Sequence, residues 1–248
     1  MAAVKKKEKI LLGKWDEKQL DRLLQEASAI TNVGRRIAFI SEQFLRTKYK
    51  PSTLIGDADT PEVFVINLDE LDCFTLLEYV EAMRRAGSFA EFRETLMKVR
   101  YRSGAISFQN RAHFFTDWKS FNPNSIVDVT RSIGAKSSVG VVKNLNKKED
   151  GTYFLPGISP RVREFSYIPA ANIDDVAAGN LRTGDYAGIY SKKEGLDVSH
   201  VGIIIKKDGA LIFRHASSLK TQRKVIDEDL RAYLESKDGI IIFRPAKQ

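Results

Sequence analysis

Apolar positions recur at helical spacing along the first half of the chain and crowd into short β-branched runs along the second. In WDEKQLDRLLQEASAI, Trp15, Leu20, Leu23, Leu24, Ala27 and Ile30 approach the i, i+3, i+4, i+7 stripe of one helix face. Asp16 and Glu17 fall in its first turn, where the helix dipole favours acids. GRRIAFISEQFLRTKY repeats the stripe through Ile37, Ile40, Phe44 and Leu45, so the two helices are expected to pair. After a loop punctuated by Pro51, Gly56 and Pro61, VFVINL reads as a strand. It leads into a helix expected from about Cys73 to Arg85 and stopped by Gly87. SFAEFRETLMKVRYR predicts another, with Ser88 as N-cap and Glu91 completing a capping box.

From Ser125 onward the pattern turns to strands, expected at SIVDVT, SSVGVV, REFSYIP, GDYAGIYS, SHVGIIIK, ALIFRHAS and GIIIFRP, with one helix, DEDLRAYLES, before the last. Between SHVGIIIK and ALIFRHAS, the Asp-Gly of KKDG favours a tight primed turn. That hairpin puts His200 at the start of one strand and His215 at the end of its antiparallel neighbour, so their side chains can meet. No internal repeat or low-complexity segment interrupts the pattern. The fold class expected is α+β.

Composition narrows the setting. At 248 residues and 43% hydrophobic content the chain can bury one large core or two small ones. A single cysteine excludes an internal disulfide framework and any Cys-rich zinc module. No apolar run approaches the roughly 20 residues that span a bilayer. The net charge of +8 raises the question of a polyanionic partner, but the basic residues are dispersed as KKKEK, RRI, MRRA, KNLNKKE and SKKE. Nucleic-acid binders cluster them with interleaved aromatics, so no nucleic-acid partner is expected. The excess reads as a solvated face or as loose attraction to an anionic envelope polymer. MAAVKKKEKILLGKWDEK carries only ILL after its basic run, short of the roughly 7–15-residue apolar core of a secretory signal. The expectation is a cytoplasmic protein, or a mature form whose signal has been removed.

Candidate chemistry centres on three residues. Cys73 sits where a loop becomes a helix, and the unpaired N–H groups and dipole there are expected to lower its pKa. With His200 as base and His215 holding that imidazole, it completes a nucleophile, base and orienter. The Cys73 N–H is a candidate oxyanion donor. The same three residues could instead ligate zinc, although no C-x-x-C or H-x-x-x-H pair accompanies them. Asp72 and Ser199, which precede Cys73 and His200, are candidate substrate-binding residues, as are His113, Asp117 and Trp118 of NRAHFFTDW. An aromatic face beside a carboxylate suits a sugar ring in a concave, mostly apolar pocket. The competing reading is a core aromatic cluster with His113 satisfied by backbone.

DCFTLLE, SHVGIII and RHASS resemble the NlpC-type cell-wall cysteine peptidases, papain-like enzymes with a Cys-His-His triad. The wider series TLIGD, PEVFVINLDELDCFTLLE, RYRSG, RAHFFTDW, TGDYAGIYS, LDVSHVGI and HASS is similar to the N-acetylmuramoyl-L-alanine amidase-like branch of that superfamily, from about Tyr49 to the C-terminus. Phe74 and Leu77 depart from its usual DCVTFVE, a change of packing rather than of chemistry. The resemblance implies a papain-like domain over residues 51–248, its nucleophile helix packed on an antiparallel sheet, behind a helical extension over residues 1–50. It also implies cleavage of the amide between N-acetylmuramic acid, in its anhydro form, and L-alanine in muropeptides. Cys73, His200 and His215 would be catalytic, and no metal or cofactor would be required. A periplasmic or cell-envelope location follows from the resemblance as well, against the missing signal pattern. An endopeptidase acting on γ-D-Glu-diamino acid peptides and a non-catalytic basic wall-binding module stand as alternatives.

Overall fold

The computed structural model describes residues 8–246. In chain order the elements are β1 (Glu8–Leu11), α1 (Glu17–Ala29), α2 (Val33–Glu42), β2 (Lys48–Tyr49), β3 (Phe64–Asn67), β4 (Glu70–Leu71), α3 (Cys73–Met83), α4 (Phe89–Arg100), α5 (Phe115–Phe121), β5 (Ile126–Asp128), α6 (Thr130–Gly134), β6 (Val139–Leu145), β7 (Arg161–Pro169), α7 (Asp175–Asn180), β8 (Tyr186–Tyr190), β9 (Val198–Lys207), β10 (Ala210–Ala216), β11 (Val225–Asp229), α8 (Leu230–Leu234) and β12 (Gly239–Pro245). The fold is α+β. Its main sheet is antiparallel and runs β11-β10-β9-β8-β12-β7-β6, with β5 pairing on β12 beyond the end of β7.

Strand alternation divides the core into two layers. Tyr186, Val201, Ile203, Ile205, Ile241 and Phe243 face α1 to α5, while Ala187, Ile189, Ile204, Phe213, Ile240 and Ile242 face α6, α7 and α8. Both N-terminal helices enter the first layer, through Leu20, Leu23, Leu24 and Ala27 on α1 and Ile37 and Ile40 on α2. Asp16 caps α1 with a reciprocal box: its carboxylate accepts from the Gln19 N–H, and the Gln19 side-chain oxygen accepts from the Asp16 N–H. The N-terminal segment also carries a strand that its sequence pattern did not announce, since β1 lies parallel to β3, Glu8 opposite Phe64 through Leu11 opposite Asn67.

Three further local differences have physical reasons. Ser88 caps α4 through the Glu91 N–H, but the Glu91 carboxylate takes the Gly87 N–H instead of closing a capping box. The segment expected as one helix, DEDLRAYLES, divides into β11 and a single turn, α8, whose N-cap is Asp229. Its acids Asp227 and Glu228 are drawn to Arg214 and His215 on β10, which holds this stretch in the sheet. The five- to seven-residue helices α5, α6 and α7 are too short to register as a periodicity.

The helix α3 is buried from Thr75 to Met83 on every side, acids included. Buried charges need partners. Glu78 receives the Arg100 guanidinium at 2.7 Å, and Arg100 also donates to the Val65 carbonyl. Glu81 receives Arg84 at 2.5 and 2.7 Å and the Tyr186 hydroxyl at 2.8 Å.

Candidate active site

Asp72 is the N-cap of α3. One of its carboxylate oxygens accepts from the Phe74 and Thr75 N–H groups, and the Thr75 hydroxyl returns to the Asp72 N–H. This fixes Cys73 as the first residue of the helix and aims it at the hairpin of β9 and β10. The hairpin closes as its sequence predicts, with Asp208 (φ 50°) and Gly209 (φ 80°) both in the left-handed region that a type I′ turn requires. At its other end the two strands part. Their pairing stops at Ile203 opposite Arg214, and by the alternation of an antiparallel ladder the next N–H directed towards β10 is that of Val201. The helix terminus fills this gap, and the amides of Val201, Cys73 and Phe74 point at the Cys73 sulfur.

His200 precedes Val201 and is set by a bulge. Ile189 pairs with His200 while Tyr190 pairs with Val198, so Ser199 is the extra residue that re-aims the strand. Ser199 is exposed, its hydroxyl 3.4 Å from the Ile189 carbonyl. Asp197, fully buried, anchors the start of β9 by accepting from the Thr116 N–H, the Thr116 hydroxyl and the Val198 N–H. Across the hairpin, His200 Nε2 lies 2.7 Å from His215 Nδ1, and His215 Nε2 lies 2.5 Å from a Glu228 carboxylate oxygen on β11. His215 is stacked on Phe213 at 4.8 Å. Gly202 is what admits that phenylalanine: a Cβ there would stand 2.4 Å from its ring. Tyr233 of α8 closes the wall, 5.1 Å from the His215 ring and 6.3 Å from that of His200.

Electrostatics correct one expectation. The helix terminus was expected to lower the Cys73 pKa, and its amides do favour the thiolate. Burial, followed by the adjacent Asp72 carboxylate, outweighs them and pushes the thiol up to about 12. Burial, with smaller contributions from His215 and Lys237, pushes His200 down to about 3, and burial also lowers His215, opposed by Glu228. All three shifts favour the neutral forms, a thiol and two uncharged imidazoles, at neutral pH. Alkylation by iodoacetamide, followed by mass spectrometry, is expected to be slow at neutral pH and to rise about tenfold per pH unit up to the raised thiol pKa, because the thiolate is the nucleophile. Fast, flat alkylation at neutral pH would instead reveal a preformed thiolate–imidazolium pair.

The structure does not bring the NRAHFFTDW residues into this site. Trp118 is fully buried, 5.2 Å from Tyr186 and 6.1 Å from both Phe74 and Phe115, so no face is left for a sugar ring. Asp117 is fully buried too, its carboxylate taken by Arg161 at 3.0 Å and Arg163 at 2.6 Å on β7. His113 gives its Nε2 to the Phe108 carbonyl at 2.7 Å and is pushed down to about 4 by burial. Trp118 and Asp117 belong to the buried interior, and His113 is half-buried against Phe108. Phe74, the departure from the resembling motif, is the edge that meets Trp118.

Four residues at or near the site had no signal in the sequence: Glu228, Tyr233, Asp197 and Tyr49. Tyr49 on β2 stands close enough to Cys73 and Asp72 that, after burial, their charges raise its pKa. Among the described residues no group of three His, Cys, Asp or Glu is arranged to hold a metal ion. His200 and His215 direct one ring nitrogen each at the other, which competes with shared metal ligation.

Among solved structures, a Legionella pneumophila protein is similar to this chain at 25% identity, over 92% of this chain and 94% of its own, with a TM-score of 0.77. An N-acetylmuramoyl-L-alanine amidase from Bacteroides uniformis is 29% identical over 92% of this chain and 100% of its own, with a TM-score of 0.68. No curated protein matches by sequence. The family model described as AmiA-like, N-acetylmuramoyl-L-alanine amidase-like, matches residues 39–240, and on a match of that extent the chain belongs to this amidase-like family.

Proposed function

We propose that the chain is a papain-like cysteine amidase of the NlpC type. In this reading it hydrolyses the amide between the lactyl group of N-acetylmuramic acid, in its anhydro form, and L-alanine in peptidoglycan fragments of the cell envelope. The observation that carries the reading is the entry of the Cys73 helix terminus into the gap of a hairpin whose two histidines meet at 2.7 Å. Family membership and the amidase among the similar structures support the substrate class.

His200 spends Nε2 on His215, so Nδ1 is the nitrogen left to take a proton from the Cys73 thiol. The sulfur then attacks the lactyl carbonyl, and the Cys73 N–H is placed to meet the oxyanion. As the C–N bond breaks, His200 returns the proton to the departing amine of L-alanine, leaving a thioester. The same histidine deprotonates a water that attacks the thioester, releasing the muramyl carboxylate and restoring the thiol. Burial favours the neutral thiol and imidazole, so the proton transfer is helped by the arriving carbonyl and its oxyanion donors, whose interactions grow as the charge develops.

Digestion of a defined muropeptide mixture followed by mass spectrometry tests the assignment. The expected products are free anhydro-N-acetylmuramic acid and an intact peptide beginning with L-alanine. With Trp118 and Asp117 in the core, the sugar preference does not rest on that pair. Equal cutting of sugar-free L-Ala-γ-D-Glu-diamino acid peptides would therefore replace the amidase by an endopeptidase.

A further inference from the structure

We infer that Glu228 is a positioning residue of the hydrolytic site, setting through His215 which nitrogen of His200 carries a proton. The inference rests on the proposed thiol mechanism and extends it by one residue. An ionised carboxylate has lone pairs and no proton to donate, so at 2.5 Å from His215 Nε2 it must accept from an N–H there. A neutral imidazole carries one N–H only. His215 Nδ1 is then a bare acceptor, and the contact of 2.7 Å requires His200 Nε2 to be the donor. The remaining nitrogen, His200 Nδ1, is left as the lone pair that a thiol proton needs. Without the carboxylate, the two rings could point their donors along the chain in either direction. In the reverse direction His200 Nδ1 carries hydrogen and cannot act as a base.

The surroundings hold this arrangement in place. His215 is buried to 2% exposure against Phe213 and Tyr233, whereas the Glu228 side chain keeps 33% of its surface, so the acid sits where a buried relay reaches solvent. β11 supplies a second acid, but Asp227 is committed to Arg214 through two hydrogen bonds of 2.7 and 2.8 Å. The charged and titratable groups around the two histidines are Asp227 and Glu228 from β11, Tyr233 from α8 and Lys237 beyond it, and Tyr233 in turn feels Cys73 from α3. Glu228 is the one among them that hydrogen-bonds to His215.

The test is Glu228→Gln, close in size and on a partly exposed strand position, read in three ways. Turnover of a muramyl-L-alanine amide should fall about 10- to 100-fold with KM changed less than about twofold. That is a smaller loss than the roughly 10⁴-fold cost of amidating an acid in direct contact with a catalytic histidine, because here one imidazole intervenes. The acid limb of the kcat/KM profile should move to lower pH, since removing the carboxylate's charge makes the imidazole pair harder to protonate while Asp227, Lys237 and Tyr233 are unchanged. In ¹⁵N spectra of the imidazoles, His200 should change from protonation at Nε2 alone to a mixture including Nδ1. The spectrum can be recorded on the Cys73→Ala background, where no hydrolysis is needed. If Glu228→Gln keeps the wild-type tautomer and acid limb, the inference is wrong, even if the variant is less stable. If Cys73→Ala retains turnover, it is the thiol mechanism that fails, and the spectrum still reports on Glu228.

Discussion

Replacing Cys73 with alanine is expected to lower kcat for muramyl-L-alanine hydrolysis by at least about 10³-fold, with fold and substrate affinity preserved. The change removes one sulfur atom from a half-buried position and leaves the Asp72 cap, the Val201 amide and the histidine pair in place. His200→Ala should cost nearly as much. Groups that act as a unit are not additive, so the double variant should be little worse than either single one. His215→Asn or His215→Gln should keep measurable turnover, because an amide oxygen can still accept from His200 Nε2. Retention of more than about a hundredth of wild-type turnover by Cys73→Ala would remove the covalent mechanism. Activity lost to a chelator and restored by zinc would return the three residues to the metal reading.

The second large effect is on stability. Trp118→Ala should cost about 3–5 kcal/mol, the range for deleting a fully buried aromatic side chain. Against a typical total of roughly 5–15 kcal/mol this removes a large share of the stability. The ring packs against Tyr186 of the sheet, Phe115 of its own helix and Phe74 next to the candidate nucleophile, so the cavity would open between three elements. A urea titration measures the loss, and KM in the folded fraction should stay within about twofold of wild type. A large rise in KM with an unchanged urea midpoint would return Trp118 to a sugar site.

These two residues mark what the chain discloses by itself. The helix beginning at Cys73 was legible because its cap and its apolar run are contiguous, and the strands carrying His200 and His215 because β-branched runs flank an Asp-Gly turn. Trp118 was ambiguous for a reason of distance. An adjacent Asp and Trp look alike in a sugar site and in a core, and what separates the cases is Arg161 and Arg163, 44 and 46 residues from Asp117 along the chain. Glu228 was hidden by local composition, since VIDED before LRAYL has the acids of a helix start and only pairing with β10 shows them to lie in a strand. The Cys73 pKa failed for a related reason. A helix terminus is visible in sequence, whereas burial beside Asp72 is a tertiary fact that reverses the sign.

Burial of α3 on every side has a kinetic consequence. With Glu78 and Glu81 locked to Arg100 and Arg84, this helix cannot slide or rotate without exposing an unpaired charge, so its opening belongs to global unfolding rather than to local breathing. In the proposed mechanism Cys73 is thus a fixed post. On the proposed reading, any adjustment that admits the sugar of the substrate must come from the segments that face Cys73, where substitutions can accumulate without disturbing the position of the sulfur.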